Sequence, residues 1–321
     1  MNTMIADFLI LAGGFILLVK GADWLVKGSA SLALKLGISE LVIGLTIVAF
    51  GTSMPELVVN TIGAVKGFNE MVLGNVLGSN IFNILVILGI TAMIKPVTVG
   101  LSTIRREIPY SILAGVILLV IANDNFFAPI PAIITRFDSA ILLAFFALFL
   151  FMIFQAVRGD REMKVPYKGG EKTGSIILLV AAGFAGLILG GRFVVDSATD
   201  LAKQMGLSER LIGLTIVAVG TSLPELATSV VAAFRKNSDL AIGNVIGSNI
   251  FNLLFVLGVS GVINPISFNP SFNTDLLLYL LASILILLAM LTGKKRRLDR
   301  WEGLIFVIIY IAYTIHLIYP S

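Results

Sequence analysis

The sequence predicts an all-α integral membrane protein of ten transmembrane helices, arranged as two inverted-topology five-helix repeats. Three observations lead there. The chain is 57% hydrophobic and 13% charged, with a mean hydropathy of +1.00, whereas a soluble domain carries about 25% charged residues. Its apolar stretches of about 18–25 residues match the thickness of a bilayer core. Residues Leu41–Ile90 recur at Arg210–Val259 without insertion or deletion, at a constant offset of 169, and about half of the aligned positions are identical.

In chain order the spans are expected at 5–34, 40–65, 70–94, 107–123 and 138–157, then at 174–203, 209–234, 239–263, 274–293 and 301–319. The first stretch lacks the basic start and A-x-A site of a cleaved signal, so it is read as a span. The first and sixth are long for a core of about 30 Å and should tilt. Lysines and arginines in the loops after spans 1, 3, 5, 7 and 9 outnumber those on the opposite side sixteen to four. This places the basic loops in the cytoplasm and both termini outside the cell membrane. Residues 1–157 form the first repeat, 158–172 a polar cytoplasmic linker and 173–321 the second repeat. Five is odd, so the second repeat enters with the opposite sense, an arrangement that puts a substrate site near the midplane. The duplication reaches further: Gly21–Ala30 aligns with Gly190–Thr199, and Arg136-Phe137-Asp138 echoes Arg300-Trp301-Glu302.

Composition also excludes. With no cysteine, disulfides and thiolate metal sites are ruled out. The single histidine, His316, lies outside both motifs, and a serine nucleophile needs a base within reach. No enzyme activity and no cofactor are expected. The basic residues sit in short loops between apolar spans, which argues against nucleic acid as a partner. Lys20, Asp23, Lys27, Arg192 and Asp196 fall within the long spans 1 and 6, where pairing of Asp23 with Lys20 or Lys27 and of Arg192 with Asp196 accounts for them.

The chemistry concentrates in two duplicated motifs. Ala49, Thr52, Ser53 and Glu56 share one helical face. Pro55 clashes with the carbonyl of Gly51 and should kink the helix, freeing backbone oxygens that are tolerated at membrane depth only beside a polar cavity. Ala218, Thr221, Ser222, Pro224 and Glu225 repeat this. A carboxylate at that depth costs about 2.5–3.5 kcal/mol on insertion scales, and two at matched positions read as one shared cation site. In the second motif Asn75, Ser79 and Asn83 form a polar stripe beside the close-packing pair Gly74 and Gly78. Asn244, Ser248, Asn252, Gly243 and Gly247 copy it. Carboxylate, amide, hydroxyl and carbonyl oxygens suit hard cations such as Ca²⁺ and Na⁺, and disfavour Mg²⁺, which sheds water reluctantly.

At these residues the chain resembles the sodium/calcium exchanger family of the cation/Ca²⁺ exchanger superfamily, in its compact prokaryotic form. The family's GTSxPE and GNxxGSN motifs match at 51–56 with 74–80, and again at 220–225 with 243–249. The resemblance implies a secondary antiporter working by alternating access, with spans 1 and 6 as the sliding elements. It implies that Glu56 and Glu225 bind Ca²⁺ with Thr52 and Thr221. It implies Na⁺ sites using the same acids with Ser79, Ser248 and the carbonyls of Ala49 and Ala218, while Asn83 and Asn252 line the middle. Ser53 and Ser222 are further candidates. Some relatives carry Asp where Asn252 stands, so the amide argues against K⁺ co-transport. The alternatives are a Ca²⁺/H⁺ antiporter of the same superfamily and a passive cation channel.

Overall fold

A computed structural model describes residues 2–123, 132–160, 172–205, 218–292 and 296–318. Among these residues the chain is helical throughout its apolar segments, and each of the ten expected spans corresponds to helix. Span 1 is Asn2–Leu36 and span 6 is Thr173–Gln204. At about 1.5 Å per residue each is far longer than the hydrocarbon core. Span 2 is the bent pair Glu40–Thr52 and Met54–Val65, span 3 Asn69–Ile94 and span 8 Ser238–Ile263. Spans 5, 9 and 10 are Arg136–Asp160, Phe272–Thr292 and Arg300–Ile318. Seven of these helices are long and apolar enough to cross a bilayer, and the bent pair makes an eighth. Span 4, Thr103–Glu107 continued by Ile108–Ala122, is shorter and opens on three charged residues. Span 7 is seen as Ala218–Gly220 and Leu223–Phe234. Its expected first half, 209–217, and linker residues 161–171 with their basic side chains lie outside the described residues.

The kink expected at the first motif is a break of 47° at Ser53. Pro55 sits in the first turn of Met54–Val65, where its missing N–H costs nothing. Besides the one that opens span 4, Thr103–Glu107, π-helical turns lie at Gly44–Val48, Asn83–Leu88 and Phe251–Val256, and no local pattern announces them. These flank the polar motifs, as π turns commonly do at functional sites.

The repeats interlock through their ends. Val97–Thr98 pairs antiparallel with Arg297–Leu298, and Ile133–Ile134 with Ile266–Ser267. Each two-residue bridge joins a loop of one repeat to a loop of the other, on the same side in the expected topology. The echoed tripeptides do the same work twice. Arg136 Nε donates to the Val262 carbonyl at 3.0 Å, ending span 8, and Arg300 Nη2 donates to the Ile94 carbonyl at 3.3 Å, ending span 3. Such side chains satisfy carbonyls left open at a helix C-terminus. Asp138 accepts from the Thr135 amide at 2.8 Å and Glu302 from the Asp299 amide at 2.7 Å, capping spans 5 and 10.

The buried apolar residues form two clusters. The larger joins spans 2, 3, 4, 5, 8, 9 and 10. The smaller joins spans 1 and 6 to parts of spans 2, 7 and 8. Spans 1 and 6 meet backbone to backbone: a Cβ on Gly21 would lie 2.7 Å from the Leu187 nitrogen, and one on Gly183 2.7 Å from that of Leu25. The expected pairs are present, Lys27 with Asp23 at 3.1 Å and Arg192 with Asp196 at 3.4 Å. The structure adds Arg235 of span 7, which also bonds Asp23.

Candidate ion-binding site

The break in span 2 and its counterpart in span 7 bring the two acids to the centre. Glu56 is 1% exposed and Glu225 0%. The serine of each repeat reaches the acid of the other: Ser53 Oγ donates to Glu225 Oε1 at 2.9 Å, and Ser222 Oγ to Glu56 Oε1 at 3.2 Å. The crossing follows from the local fold. Ser53 and Ser222 occupy the non-helical junctions before Met54 and Leu223, with ψ near zero, and so point across the interface rather than along their own helix.

The threonines pair in the same crossed way. Thr52 Oγ1 lies 3.1 Å from Asn244 Oδ1 and 3.0 Å from the Val48 carbonyl, while Thr221 Oγ1 donates to Asn75 Oδ1 at 3.4 Å. Ser248 Oγ is 3.4 Å from Glu225 Oε1, and Ser79 Oγ is buried without a partner. The Ala49 carbonyl accepts from the Ser53 amide at 3.0 Å and stands 3.3 Å from Thr52 Oγ1. Ala218 opens the short helix Ala218–Gly220 just before Thr221.

The amides knit the pseudo-dyad. Asn83 Nδ2 donates to Asn249 Oδ1 at 3.0 Å, and Asn252 Nδ2 to Asn80 Oδ1 at 3.2 Å. Asn80 Nδ2 and Asn249 Nδ2 each donate to the other's backbone carbonyl, at 3.2 and 3.4 Å. Asn80 and Asn249 were not anticipated. They lie one residue off the i,i+4 stripe, and their presence in both copies of GSNIFN was the available signal. Asn60 was missed too. It stands one turn beyond Glu56, is 1% exposed, and has neither amide atom paired. Its repeat counterpart Ser229 instead accepts from Asn244 Nδ2 at 3.0 Å.

With the donors so engaged, Glu56 Oε2, Glu225 Oε2, Asn83 Oδ1, Asn252 Oδ1 and Ser79 Oγ are buried and have no hydrogen-bond partner. Stranding a neutral buried group costs about 1–3 kcal/mol, and a charged one more, so a cluster of five calls for a compensating ligand. All five are oxygens, two of them on carboxyl groups; Asn60 Nδ2 and Asn75 Nδ2 are buried and unpartnered as well. Among the described residues no group of three His, Cys, Asp or Glu side chains could hold a metal ion. The oxygens gathered here, carboxylate, amide and hydroxyl, are of the kind that hard cations take.

The close packing expected of the glycines is seen in the second copy. A Cβ on Gly247 would come within 2.8 Å of the Leu45 backbone, and one on Gly243 within 2.8 Å of the Leu41 carbonyl. This seats span 8 against the π turn of span 2. The mirrored contact would involve residues 209–217, outside the described residues.

Comparison with known proteins is consistent along the chain. A family described as sodium/calcium exchanger protein matches residues 6–155 and 175–319. The sodium/calcium exchanger MaX1 of Methanosarcina acetivorans is 32% identical over 351 residues, covering 98% of this chain and 99% of its own. The inner membrane protein YrbG of Escherichia coli is 36% identical over 286 residues, 85% of each chain. A solved structure of the sodium-calcium exchanger NCX_Mj, soaked with zero Na⁺ and Ca²⁺, superposes with a TM-score of 0.80 at 30% identity, covering 98% of both chains.

Proposed function

The chain belongs to the sodium/calcium exchanger family, a multi-pass membrane transporter and not an enzyme, and on that premise we propose that it exchanges Na⁺ for Ca²⁺ at one shared site between its repeats. The observation that carries this reading is the buried, reciprocally bonded pair Glu56 and Glu225, each leaving one carboxylate oxygen unpartnered.

Two ionised glutamates make a doubly negative cage. One Ca²⁺ neutralises it, held by both acids with Thr52 and Thr221. Na⁺ uses the same acids with Ser79, Ser248 and the carbonyls of Ala49 and Ala218, and Asn83 and Asn252 line the middle. Ser53 and Ser222 orient the acids, each donating its hydroxyl proton to a glutamate oxygen of the other repeat. The two ions compete because they need the same charge. The unfilled, doubly charged cage resists crossing, and that couples the fluxes. About three Na⁺ per Ca²⁺ leaves about one net charge moved per cycle, worth about 2.3 kcal/mol per 100 mV. Spans 1 and 6, in backbone contact with each other, slide against the remaining eight. Both termini lie outside and the basic loops in the cytoplasm.

The test is ⁴⁵Ca²⁺ flux in proteoliposomes with Na⁺, K⁺ and H⁺ gradients imposed singly. Uptake driven by Na⁺, and lost in Glu56→Gln and in Glu225→Gln, is expected. Uptake driven by a pH gradient alone would replace Na⁺ by H⁺ as the counter-ion. Flux without any counter-ion would make the protein a channel.

A further inference from the structure

A second polar cavity, of about 680 Å³, lies away from the ion site, between the starts of spans 2 and 4 and the end of span 5. Its ends of helix all belong to the side that carries the sixteen basic residues. Arg105 and Arg106 stand exposed at its mouth, and Glu107 lines it at 7% exposure. Glu107 Oε2 is sealed from solvent without a hydrogen-bond partner, and neither arginine forms an ion pair with it. Tyr110, Phe149, Met152 and Ile153 form an apolar wall beside them.

One oxygen of this buried carboxylate has no hydrogen bond, a costly state, and Arg106 attracts the group without closing to a contact pair. The cavity therefore presents two separate demands, an anion at its rim and a cation inside. A divalent metal fails the first demand and is repelled by the two arginines. A simple phosphate fails the second. A zwitterion carrying a phosphate and a primary ammonium, followed by an acyl stem, meets both and uses the apolar wall. Basic pockets between spans on the cytoplasmic side are where lipid head groups are taken, and arginine suits phosphate through its planar fork of donors.

We propose that this cavity binds the head group of an aminophospholipid, phosphatidylethanolamine, with its phosphate on Arg105 and Arg106 and its ammonium on Glu107. Ser39, Leu41 and Val42 of span 2 form the facing wall. The π turn Gly44–Val48 and the proposed ion ligands follow directly, so occupancy bears on the first half of a helix that carries the site. The proposal rests on the membrane reading of the chain and not on which ions it exchanges.

Native mass spectrometry of the full chain, titrated with phosphatidylethanolamine, phosphatidylcholine and phosphatidylglycerol of one acyl composition, tests it. Phosphatidylethanolamine should be retained over phosphatidylcholine by at least about tenfold, because a trimethylated amine cannot donate the charge-assisted hydrogen bond. Glu107→Gln should erase that preference, and Arg105→Gln with Arg106→Gln should lower retention of all three lipids. Glu56→Gln, which abolishes exchange if the functional reading holds, should leave lipid preference untouched. Equal retention of phosphatidylethanolamine and phosphatidylcholine by the unaltered chain would overturn the proposal, and this comparison needs no variant to fold. Tighter binding of phosphatidylglycerol would overturn it as well, since the arginines alone would then account for the site.

Discussion

Replacing Ser53 by alanine isolates what the crossed hydrogen bonds do. Ser53 is 0% exposed and donates to Glu225 Oε1 at 2.9 Å, which leaves Oε2 as the oxygen available to an ion. A hydrogen bond to a charged group contributes about 1.5–3 kcal/mol. At 1.4 kcal/mol per decade that is about ten- to a hundredfold in affinity. An independent route agrees: partners that orient a metal's ligands typically cost about 10–100-fold when removed. Ser53→Ala should therefore weaken apparent Ca²⁺ affinity by one to two decades, in the order of that estimate, while the protein remains folded. Ser222→Ala should do nearly the same through Glu56, with its slightly longer bond of 3.2 Å. The assay is ⁴⁵Ca²⁺ uptake into proteoliposomes across a Ca²⁺ series at fixed Na⁺ gradient, backed by a binding isotherm. The decisive arm is a double-mutant cycle with Glu225→Gln, read from the binding isotherm because that variant is expected to have no uptake to measure. Once the carboxylate is gone, Ser53→Ala should cost little more. An unchanged affinity in Ser53→Ala, or the same loss in both backgrounds, would refute the orienting role.

Other outcomes are expected. Asn249→Ala removes the acceptor of Asn83 Nδ2 and the amide that donates to the Asn80 carbonyl, so unfolding in detergent should become easier by about 2–4 kcal/mol; an unaltered midpoint would show that the amide quartet is not holding the halves. A valinomycin-clamped potential should change the exchange rate, because unequal charge crosses per cycle; indifference to voltage would exclude that imbalance. Na⁺-driven Ca²⁺ uptake should persist in K⁺-free buffers, as Asn252 offers an amide where an acid would add charge; an absolute K⁺ requirement would contradict this reading of Asn252.

What could be read in advance was whatever the duplication repeated with a fixed helical phase. Glu56, Thr52 and Ser53 fall on one face by i,i+3,i+4,i+7 spacing, and Pro55 announces a break, so the acid pair and its bend follow from local rules. The role of Ser53 did not follow. Its hydroxyl points to the opposite repeat only because it sits at the helix junction, and junction geometry is a tertiary outcome. Asn80 was passed over because it is off the stripe of Asn75, Ser79 and Asn83. The π turn beginning at Asn83 adds a residue to the ring and shifts the faces that follow, and no pattern in Asn83–Leu88 signals it. Glu107 was counted merely as the edge of span 4. Its burial beside residues of spans 2 and 5 is a tertiary outcome. Asp23 was given its neighbour Lys27 by spacing, but Arg235, some two hundred positions away, lies beyond any local rule.

Arg136 closing span 8 and Arg300 closing span 3 carry a historical corollary. Neither five-helix unit finishes its own third helix; each borrows the finishing group from its opposite. A solitary ancestral unit would have been incomplete in the lipid, and would have needed a sister copy inserted upside down to be stable. On one polypeptide the two units are held at a ratio of one to one, and they differ at Asn60 and Ser229 while both keep the arginine.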